Sequence, residues 1–306
     1  MRQKTIERTV SCSGIGLHSA KRVELAFHPG GVDTGIVFSI PTQGGNRLVQ
    51  VGPESVSHTH LATTLSFDGV KISTVEHVLA AVRGLDIDNI VIELNGEEVP
   101  IMDGSAASFV YLLHQAGVRE QKAAKKVLSL IKSVSFESGT RWIKALPAEG
   151  FSARYIIDFP HPLVGRQELY YEAKEPIFIE QLSRARTFGF LNDVERLQQK
   201  GYALGGTLEN ALVLDESSVI NPDGMRFPDE PVRHKVLDFI GDTALFGLPL
   251  WGHFEIHCSG HQLNNQFVRH LMAHQEDCLE VVELGSRKAD ATLAPAYAPE
   301  AVKAAF

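Results

Sequence analysis

The sequence predicts an α+β fold made of two similar domains, and two observations lead to this prediction. The chain has 306 residues, and domains average about 150 residues, so two domains are the first expectation. Each half also shows strands followed by a helix, a strand and a final helix. The helix before the last strand carries a histidine near its start in both halves, His77 and His234. A duplication packed about a pseudo-two-fold axis would turn these histidines towards one site, although this order of elements is also common without duplication.

The first half is predicted to hold short strands and two helices. Alternating or β-branched apolar residues between Gly/Pro clusters indicate strands, and apolar residues at i, i+3, i+4 and i+7 indicate helices. The predicted strands cover residues 5–12, 22–28, 35–40, 62–67 and 89–94. The predicted helices cover residues 73–84 and 105–116, and Gly117 ends the second of them.

A polar segment at residues 119–126 marks the predicted boundary between an N-terminal domain (1–122) and a C-terminal domain (127–285). The residues after 285 are rich in Ala and Pro, so 286–306 is predicted to be a loose tail. The same patterns then predict the elements of the second half. Its strands cover 127–136, 141–146, 151–158, 211–215 and 253–258, and its helices cover 191–200, 232–246 and 262–279.

Composition excludes several classes of protein. The net charge is -8 and the densest basic cluster, KAAKK at 122–126, is short, so a protein that mainly binds nucleic acid is not expected. The longest apolar stretch, 244–251, is far below the roughly 20 residues of a membrane-spanning helix. The N-terminus lacks an apolar signal segment, and the three cysteines are few and dispersed. We therefore expect a monomer in the cytoplasm.

The helix at 232–246 carries the most informative polar cluster. At 100° per residue, His234, Lys235, Asp238 and Asp242 fall within an arc of about 100°, opposite an apolar face. On this helix alone, a solvated face with i, i+4 pairs is the favoured interpretation. However, one turn between His234 and Asp238 also lets a nitrogen and an oxygen converge on one metal ion at about 2.0–2.2 Å.

A third ligand would come from the helix at 73–84. His77 lies opposite the apolar stripe of that helix, beside small residues that allow another element to approach closely. Its neighbour Glu76 has a structural alternative, because Ser73-x-x-Glu76 is a capping box. Other histidines compete for a functional role. His58 and His60 are two apart, so they would share one face of a strand. The others are the helical i, i+4 pair His270 and His274, and His253, His257 and His261 around the strand at 253–258.

Several segments in order resemble one family, the UDP-3-O-acyl-N-acetylglucosamine deacetylases, which are zinc hydrolases of lipid A biosynthesis in Gram-negative bacteria. The similar segments run to about residue 280, and Ala20 stands where the family usually has Gly. They are SGIGLHSAK (13–21), LATTL (61–65), STVEHVLAA (73–81), MDGSAASF (102–109), RTFGF (186–190), RFPDEPVRHKVLDFIGD (226–242) and SGH (259–261).

The resemblance implies two α+β domains with helices sandwiched between two β-sheets, and a small insert in each domain. The second insert would lie at about 190–215 and would hold an apolar passage for the acyl chain of the substrate. The residues that would line it are Val194, Leu197, Leu204, Ala211 and Val213. The alternative is that these five are ordinary core residues, and the sequence alone favours that alternative.

The resemblance also implies the metal centre. His77, His234 and Asp238 would bind one Zn²⁺, or Fe²⁺ in its place, and leave a position open for water. Glu76 would be the general base for that water, and Thr187 would support the tetrahedral oxyanion.

The remaining roles are implied in the same way. His261, as an imidazolium, would protonate the leaving amine, with Asp242 orienting it and Lys235 supplying positive charge. Substrate contacts would come from Leu17 and Phe188, and Phe159 would lie against the uridine. The implied reaction releases acetate from UDP-3-O-(3-hydroxyacyl)-N-acetylglucosamine. A non-catalytic binder of nucleotide-sugars or acylated ligands, and a metal hydrolase of another class, are the alternatives.

Overall fold

The structure, a computed structural model, describes residues 1–42 and 45–285 and has the predicted α+β fold. The predicted tail at 286–306 lies outside the described residues. Within the described residues no helix is long and apolar enough to cross a membrane.

The first half holds nine strands and two helices in the described part of the chain. The strands are β1 (Arg2–Ile6), β2 (Val10–Ile15), β3 (Arg22–Pro29), β4 (Ile36–Thr42), β5 (Gly45–Gln50), β6 (Val56–His58), β7 (Thr64–Phe67), β8 (Val70–Ile72) and β9 (Ile90–Leu94). The helices are α1 (Glu76–Gly84) and α2 (Ala107–Ala116), and Gly117 ends α2 with φ of 72°. Gly117 tolerates this left-handed conformation because it has no Cβ.

The second half adds the other elements. Its strands are β10 (Val118–Leu130), β11 (Val134–Ser138), β12 (Arg141–Leu146), β13 (Phe151–Asp158), β14 (Arg166–Glu172), β15 (Phe188–Phe190), β16 (Leu212–Leu214), β17 (Leu250–His257) and β18 (Leu279–Leu284). Its helices are α3 (Glu175–Ile177), α4 (Leu191–Gln199), α5 (Glu230–Thr243), α6 (His261–Ala273) and α7 (Gln275–Cys278). A single π-helical turn, Phe178–Leu182, follows α3, and a 3₁₀ turn, Ala244–Phe246, follows α5.

The two halves share one strand order. The first sheet runs β2-β3-β9-β4-β5, and the larger second sheet contains the run β11-β12-β17-β13-β14. In each run only the third pair of neighbouring strands is parallel. This pair is β9 with β4 in the first sheet and β17 with β13 in the second. Helix α1 packs on α5, while α2 contacts β2 and α5 contacts β13 and β14. The helices thus lie between the sheets, and the pseudo-two-fold axis stays a prediction.

The polar segment at 119–126 is not the linker that composition suggested, because it forms most of β10. This strand pairs antiparallel with β1 and with β18, and it runs parallel to β17 over two residues. Its Lys125 is only 3% exposed and forms a salt bridge of 2.7 Å with Asp88, so the buried charge is neutralised. The division into domains 1–122 and 127–285 stays a prediction.

Three other predicted elements differ from the structure. The single strand at 5–12 is two strands, with β1 in the second sheet and β2 in the first. The strand at 127–136 is interrupted between β10 and β11. The predicted helix 262–279 is two helices, α6 and α7, interrupted at His274, and the chain continues as β18, which contains the β-branched pair Val281 and Val282.

Close approach of α1 and α5 sets the position of the site. A Cβ added to Gly241 in α5 would lie 2.0 Å from the carbonyl oxygen of Glu76. A Cβ added to Gly84 at the other end of α1 would lie 2.3 Å from the Phe178 ring. Glycine at position 241 therefore lets the first turn of α1 lie directly against α5, and Gly84 makes room for the Phe178 ring at the end of α1.

Candidate metal and acid–base site

Three buried side chains from α1 and α5 converge as the helix pattern predicted. His234 and Asp238 lie one turn apart on α5, and the His234 Nε2 to Asp238 Oδ1 distance is 3.2 Å. His77 comes from the first turn of α1, and its Nε2 lies 3.7 Å from the same oxygen. The potential ligand atoms of the three residues all lie within 4.8 Å of one another. Within residues 1–42 and 45–285 no other group of His, Cys, Asp and Glu meets this geometry.

The protonation pattern of these side chains suits a cation. His234 Nδ1 donates to the Ala185 carbonyl oxygen at 3.1 Å, which leaves the lone pair on its Nε2 facing Asp238. Burial, together with the neighbouring imidazole of His234, lowers the pKa of His77 to about 3, so that ring is neutral. Asp238 Oδ1 is buried without a hydrogen-bond partner among the described residues. Two neutral imidazole rings and an unsatisfied carboxylate oxygen thus converge on one space, as metal ligands do.

The other oxygen of Asp238 is held by the next polar residue of α5. Lys235 Nζ donates to Asp238 Oδ2 at 2.8 Å. Burial alone would raise the pKa of Asp238, but the neighbouring His234 and the cations Lys235 and His261 outweigh it and lower that pKa. Asp238 is therefore an anion whose second oxygen is fixed.

Glu76 is a buried carboxylate with a role different from helix capping. Its N-terminal neighbour Val75 occupies the N-cap position and makes no side-chain cap, so the capping box with Ser73 is not formed. Instead, Glu76 Oε2 accepts a hydrogen bond from the Thr63 backbone N–H at 3.0 Å. Its Oε1 lies 3.8 Å from His261 Nε2. The capping-box interpretation of Glu76 is therefore wrong. Its carboxylate lies beside the cluster of His77, His234 and Asp238.

His261 and Asp242 form an ion pair at the start of α6. His261 Nδ1 donates to Asp242 Oδ2 at 2.9 Å. Burial would lower the pKa of His261, but the carboxylates of Asp242, Glu76 and Asp238 together raise it to about 10. Burial in turn raises the pKa of Glu76 to about 7, although the positive charge of His261 opposes this. The site thus holds one histidine that keeps its proton beside one carboxylate that can gain a proton near neutral pH.

Two residues that sequence reasoning missed fix this ion pair. Thr63 Oγ1 donates to Asp242 Oδ1 at 2.6 Å, and Asn264 Nδ2 donates to Asp242 Oδ2 at 2.8 Å. Thr63 thereby contacts both Glu76 and Asp242. The position of Thr63 inside LATTL (61–65) was the only available signal, because neither residue type is titratable.

Thr187 lies on a segment that is fastened beside α5. Its N–H donates to the Gly104 carbonyl oxygen at 2.7 Å, and its own carbonyl accepts from Leu212 at 2.8 Å. The preceding Arg186 forms a buried salt bridge of 2.9 Å with Glu230 at the first residue of α5. The Ala185 carbonyl, which accepts the hydrogen bond from His234 Nδ1, belongs to the same segment.

The aromatic residues predicted to contact substrate lie next to the cluster. The Phe188 ring centroid is 6.4 Å from that of His234, and Lys235 Nζ is 5.7 Å from the Phe188 ring. The Phe159 ring centroid lies 5.6 Å from that of Phe188. The structure therefore brings Phe159 and Phe188 together at the edge of the site.

The predicted insert at 190–215 contains α4 and pairs β15 with β16 in parallel. Of the five apolar residues, Val213 is 8% exposed and belongs to the core, whereas Leu204 is 51% exposed and does not. The other three, Val194, Leu197 and Ala211, are half-buried. Leu17 reaches this region, since its carbonyl accepts from the Gly205 N–H at 2.9 Å.

The competing histidines do not form a second cluster of metal ligands in the described residues. His58 ends β6, whereas His60 lies in the loop beyond it, so the prediction that both share one strand face is wrong. Both line a cavity of about 570 Å³ that also borders Arg141 and His261. The His270 and His274 rings lie 4.6 Å apart, without a third ligand.

Comparison with known proteins identifies the family of this chain. The family model described as LpxC, UDP-3-O-acyl N-acetylglycosamine deacetylase, matches residues 3–273. The UDP-3-O-acyl-N-acetylglucosamine deacetylase from Nitratidesulfovibrio vulgaris is 56% identical over 284 residues, which cover 93% of this chain and 92% of the length of that protein. The one from Oleidesulfovibrio alaskensis is 52% identical over 98% of this chain and 100% of its own. The relative from Haemophilus influenzae is 46% identical over 90% of this chain and 92% of its own length. The chain belongs to the LpxC family of UDP-3-O-acyl N-acetylglycosamine deacetylases.

Proposed function

We propose that this enzyme hydrolyses the N-acetyl amide of UDP-3-O-(3-hydroxyacyl)-N-acetylglucosamine, giving acetate and the free amine, the committed step of lipid A biosynthesis. The observation that carries the proposal is the buried His77–His234–Asp238 cluster beside Glu76 and the His261–Asp242 ion pair. The names of the relatives support the substrate class.

We infer that His77, His234 and Asp238 hold one Zn²⁺, with Fe²⁺ as the alternative that the same donors accept. Two histidines and one carboxylate are a ligand set typical of catalytic zinc, and the fixed tautomer of His234 supports it. When bound, such an ion lowers the pKa of a water ligand to about 7 and polarises a carbonyl.

In this proposal Glu76 removes the proton from the attacking water. Its pKa of about 7 places it between acid and base near neutral pH, and Thr63 fixes one of its oxygens. His261 carries the proton that the leaving amine needs. Asp242 orients His261 through Nδ1, so that Nε2 faces the reaction site.

Positive charge and hydrogen-bond donors would stabilise the tetrahedral oxyanion. Thr187, held by Gly104 and Leu212, offers its hydroxyl as such a donor. Lys235 supplies a cation that is fixed by Asp238 at 2.8 Å.

The substrate would extend from the site in two directions. We place the acyl chain along the exposed apolar residues of the insert, among which Leu204 is 51% exposed, with Leu17 and Phe188 beside them and Phe159 against the uridine. The cavity of about 570 Å³ next to His261 contains Arg141, whose guanidinium suits the diphosphate. We also propose that the enzyme acts as a monomer in the cytoplasm, a reducing compartment that suits its free cysteines.

Product analysis tests this function. We expect the purified enzyme to release acetate and free amine in equal amounts from the acylated UDP-sugar, and far less acetate from UDP-N-acetylglucosamine, which lacks the acyl chain. Tight binding of the acylated UDP-sugar without acetate release, in protein that holds its full complement of metal, would instead support the non-catalytic binder. Acetate release at equal rates from both compounds would contradict the acyl passage.

A further inference from the structure

A second cavity lies at the other end of α1 from the site. Its volume is about 420 Å³, and it is lined by Arg83 and Gly84 in the last turn of α1. Glu76 and His77 begin the same helix, so the two regions are separated by about 10 Å along its axis. The cavity is therefore distinct from the acid–base site, although α5 borders both.

The walls of this cavity are mainly apolar. They come from strands of the second sheet, from α5 and from the segment that follows it, and include Phe151, Tyr171, Ile240, Leu248, Trp251 and Leu284. Volumes of about 300–1,000 Å³ with such walls and a few charged groups are typical of small-molecule sites.

The charged side chains at the cavity are predominantly positive. Four are cationic, Lys4, Arg83, Lys125 and Lys174, and two are carboxylates, Asp86 and Glu175. Carboxylates beside the lining offset two of these cations, since Asp88 lies 2.7 Å from Lys125 Nζ and Glu172 lies 2.7 Å from Lys174 Nζ. The charge that remains for an anionic ligand is therefore that of Arg83.

Arg83 differs from the lysines in its pairing. Asp86 neutralises Lys4 at 3.0 Å and Lys125 at 2.7 Å. The Arg83 guanidinium donates one bond, from Nη2 to the Gly247 carbonyl at 2.7 Å, and makes no ion pair within the described chain. Its Nε is buried and has no hydrogen-bond partner there. Arg83 is therefore a cation without a carboxylate partner among the described residues, and a carboxylate ligand would supply that partner.

We propose that this cavity binds an alkyl carboxylate, with the carboxylate paired to Arg83 and the chain lying along the apolar wall. Carboxylates match the fork of guanidinium donors, and the apolar residues bury the hydrocarbon. An alkyl ammonium would meet the cationic groups with repulsion, and an alcohol would leave Arg83 without its ion pair.

Trp251 provides a direct test because it lines the cavity and the chain has only two tryptophans. The other, Trp142, stacks on His257 at 5.6 Å and does not line the cavity. In a Trp142→Phe background, we would titrate decanoate, decylamine and decanol while recording Trp251 emission, with calorimetry in parallel. We expect decanoate to bind more tightly than the other two and to change the emission.

Variants complete the test. Arg83→Met should weaken decanoate binding about ten- to a hundredfold, the usual loss of a charged hydrogen bond, without affecting decanol. Arg119→Met, at an exposed arginine of β10 away from the cavity, is the control. If Arg83→Met does not fold, Ala244→Leu narrows the cavity instead and should weaken decanoate and decanol alike.

Three results would overturn the proposal. Decylamine or decanol could bind as tightly as decanoate, or Arg83→Met could fold and bind decanoate normally. Calorimetric binding without any change in Trp251 emission would place the ligand elsewhere, for instance along the proposed acyl passage.

Discussion

Replacing Glu76 by Gln isolates the proposed proton acceptor from the metal centre. The amide keeps the shape of the side chain and an oxygen that can accept the Thr63 N–H, now 3.0 Å from Glu76 Oε2. Glu76 is not one of the three proposed ligands. We therefore expect Glu76→Gln to fold and to bind one metal ion per chain, like the wild type.

The size of the expected loss follows from the site geometry. The Glu76 carboxylate lies 3.8 Å from the His261 ring nitrogen. At an effective dielectric constant of about 20, their charges attract each other by about 4 kcal/mol, and the neutral amide of Gln removes this attraction. Asp242 remains 2.9 Å from His261, so this histidine stays charged and the main loss is the general base. General-base catalysis contributes a factor of about 10²–10⁴, equivalent to about 3–5 kcal/mol in the barrier.

The assay measures kcat for acetate release and metal content on the same samples. Glu93→Gln is the matched control, since Glu93 also faces a histidine, with its Oε2 2.7 Å from His28 Nε2 on the first sheet. We expect the control to keep the wild-type kcat. Near-normal turnover of metal-loaded Glu76→Gln would refute the assignment of the base, and loss of metal from it would show that Glu76 supports the ligands instead.

Three further substitutions test the supports of the site. Thr63→Val removes the donor to Asp242 but keeps the backbone N–H, so kcat should fall about tenfold, as expected from the loss of one hydrogen bond to a charged group. Gly241→Ala places a methyl group 2.0 Å from the Glu76 carbonyl oxygen, and should lower the free energy of unfolding in urea by about 1–3 kcal/mol. Ala20 has φ of 56°, so Ala20→Gly should raise that free energy by up to about 1 kcal/mol.

Controls for these variants come from positions without the same contacts. Thr64→Val removes a hydroxyl that contacts Ser73 at 3.1 Å, and should leave kcat unchanged. Gly31→Ala meets nothing closer than 3.4 Å and should cost far less stability than Gly241→Ala. Equal effects of the paired substitutions, or a destabilised Ala20→Gly, would contradict these assignments.

Local patterns predicted most helices and the strands at the centres of the sheets. The i, i+4 spacing of His234 and Asp238 placed both on one face of α5, where the structure has them. His77 was expected as the third ligand from its place opposite the apolar stripe of its own helix, and the resemblance to a family implied the same set. The support from Thr63 was not predictable from spacing, because its contact with Asp242 joins segments that are distant in sequence.

The errors have a common physical cause, namely pairing between distant segments. β10 looked like a linker because its lysines are polar, yet Lys125 is buried through a salt bridge with Asp88. β18 was not predicted at all, and it pairs with β10 over six residues. In both cases tertiary contacts override composition and local propensity.

A zinc titration tests the proposed metal centre. Wild-type protein is freed of metal by a chelator, zinc is added in steps, and acetate release from the acylated UDP-sugar is recorded beside bound metal, with Asp238→Asn treated in parallel. We expect wild-type activity to be lost on chelation and to return up to about one equivalent of zinc. We expect Asp238→Asn to bind zinc at least about a hundredfold more weakly, because the variant lacks the anionic ligand. Full activity after effective chelation, or unchanged zinc affinity in Asp238→Asn, would contradict a catalytic zinc held by His77, His234 and Asp238.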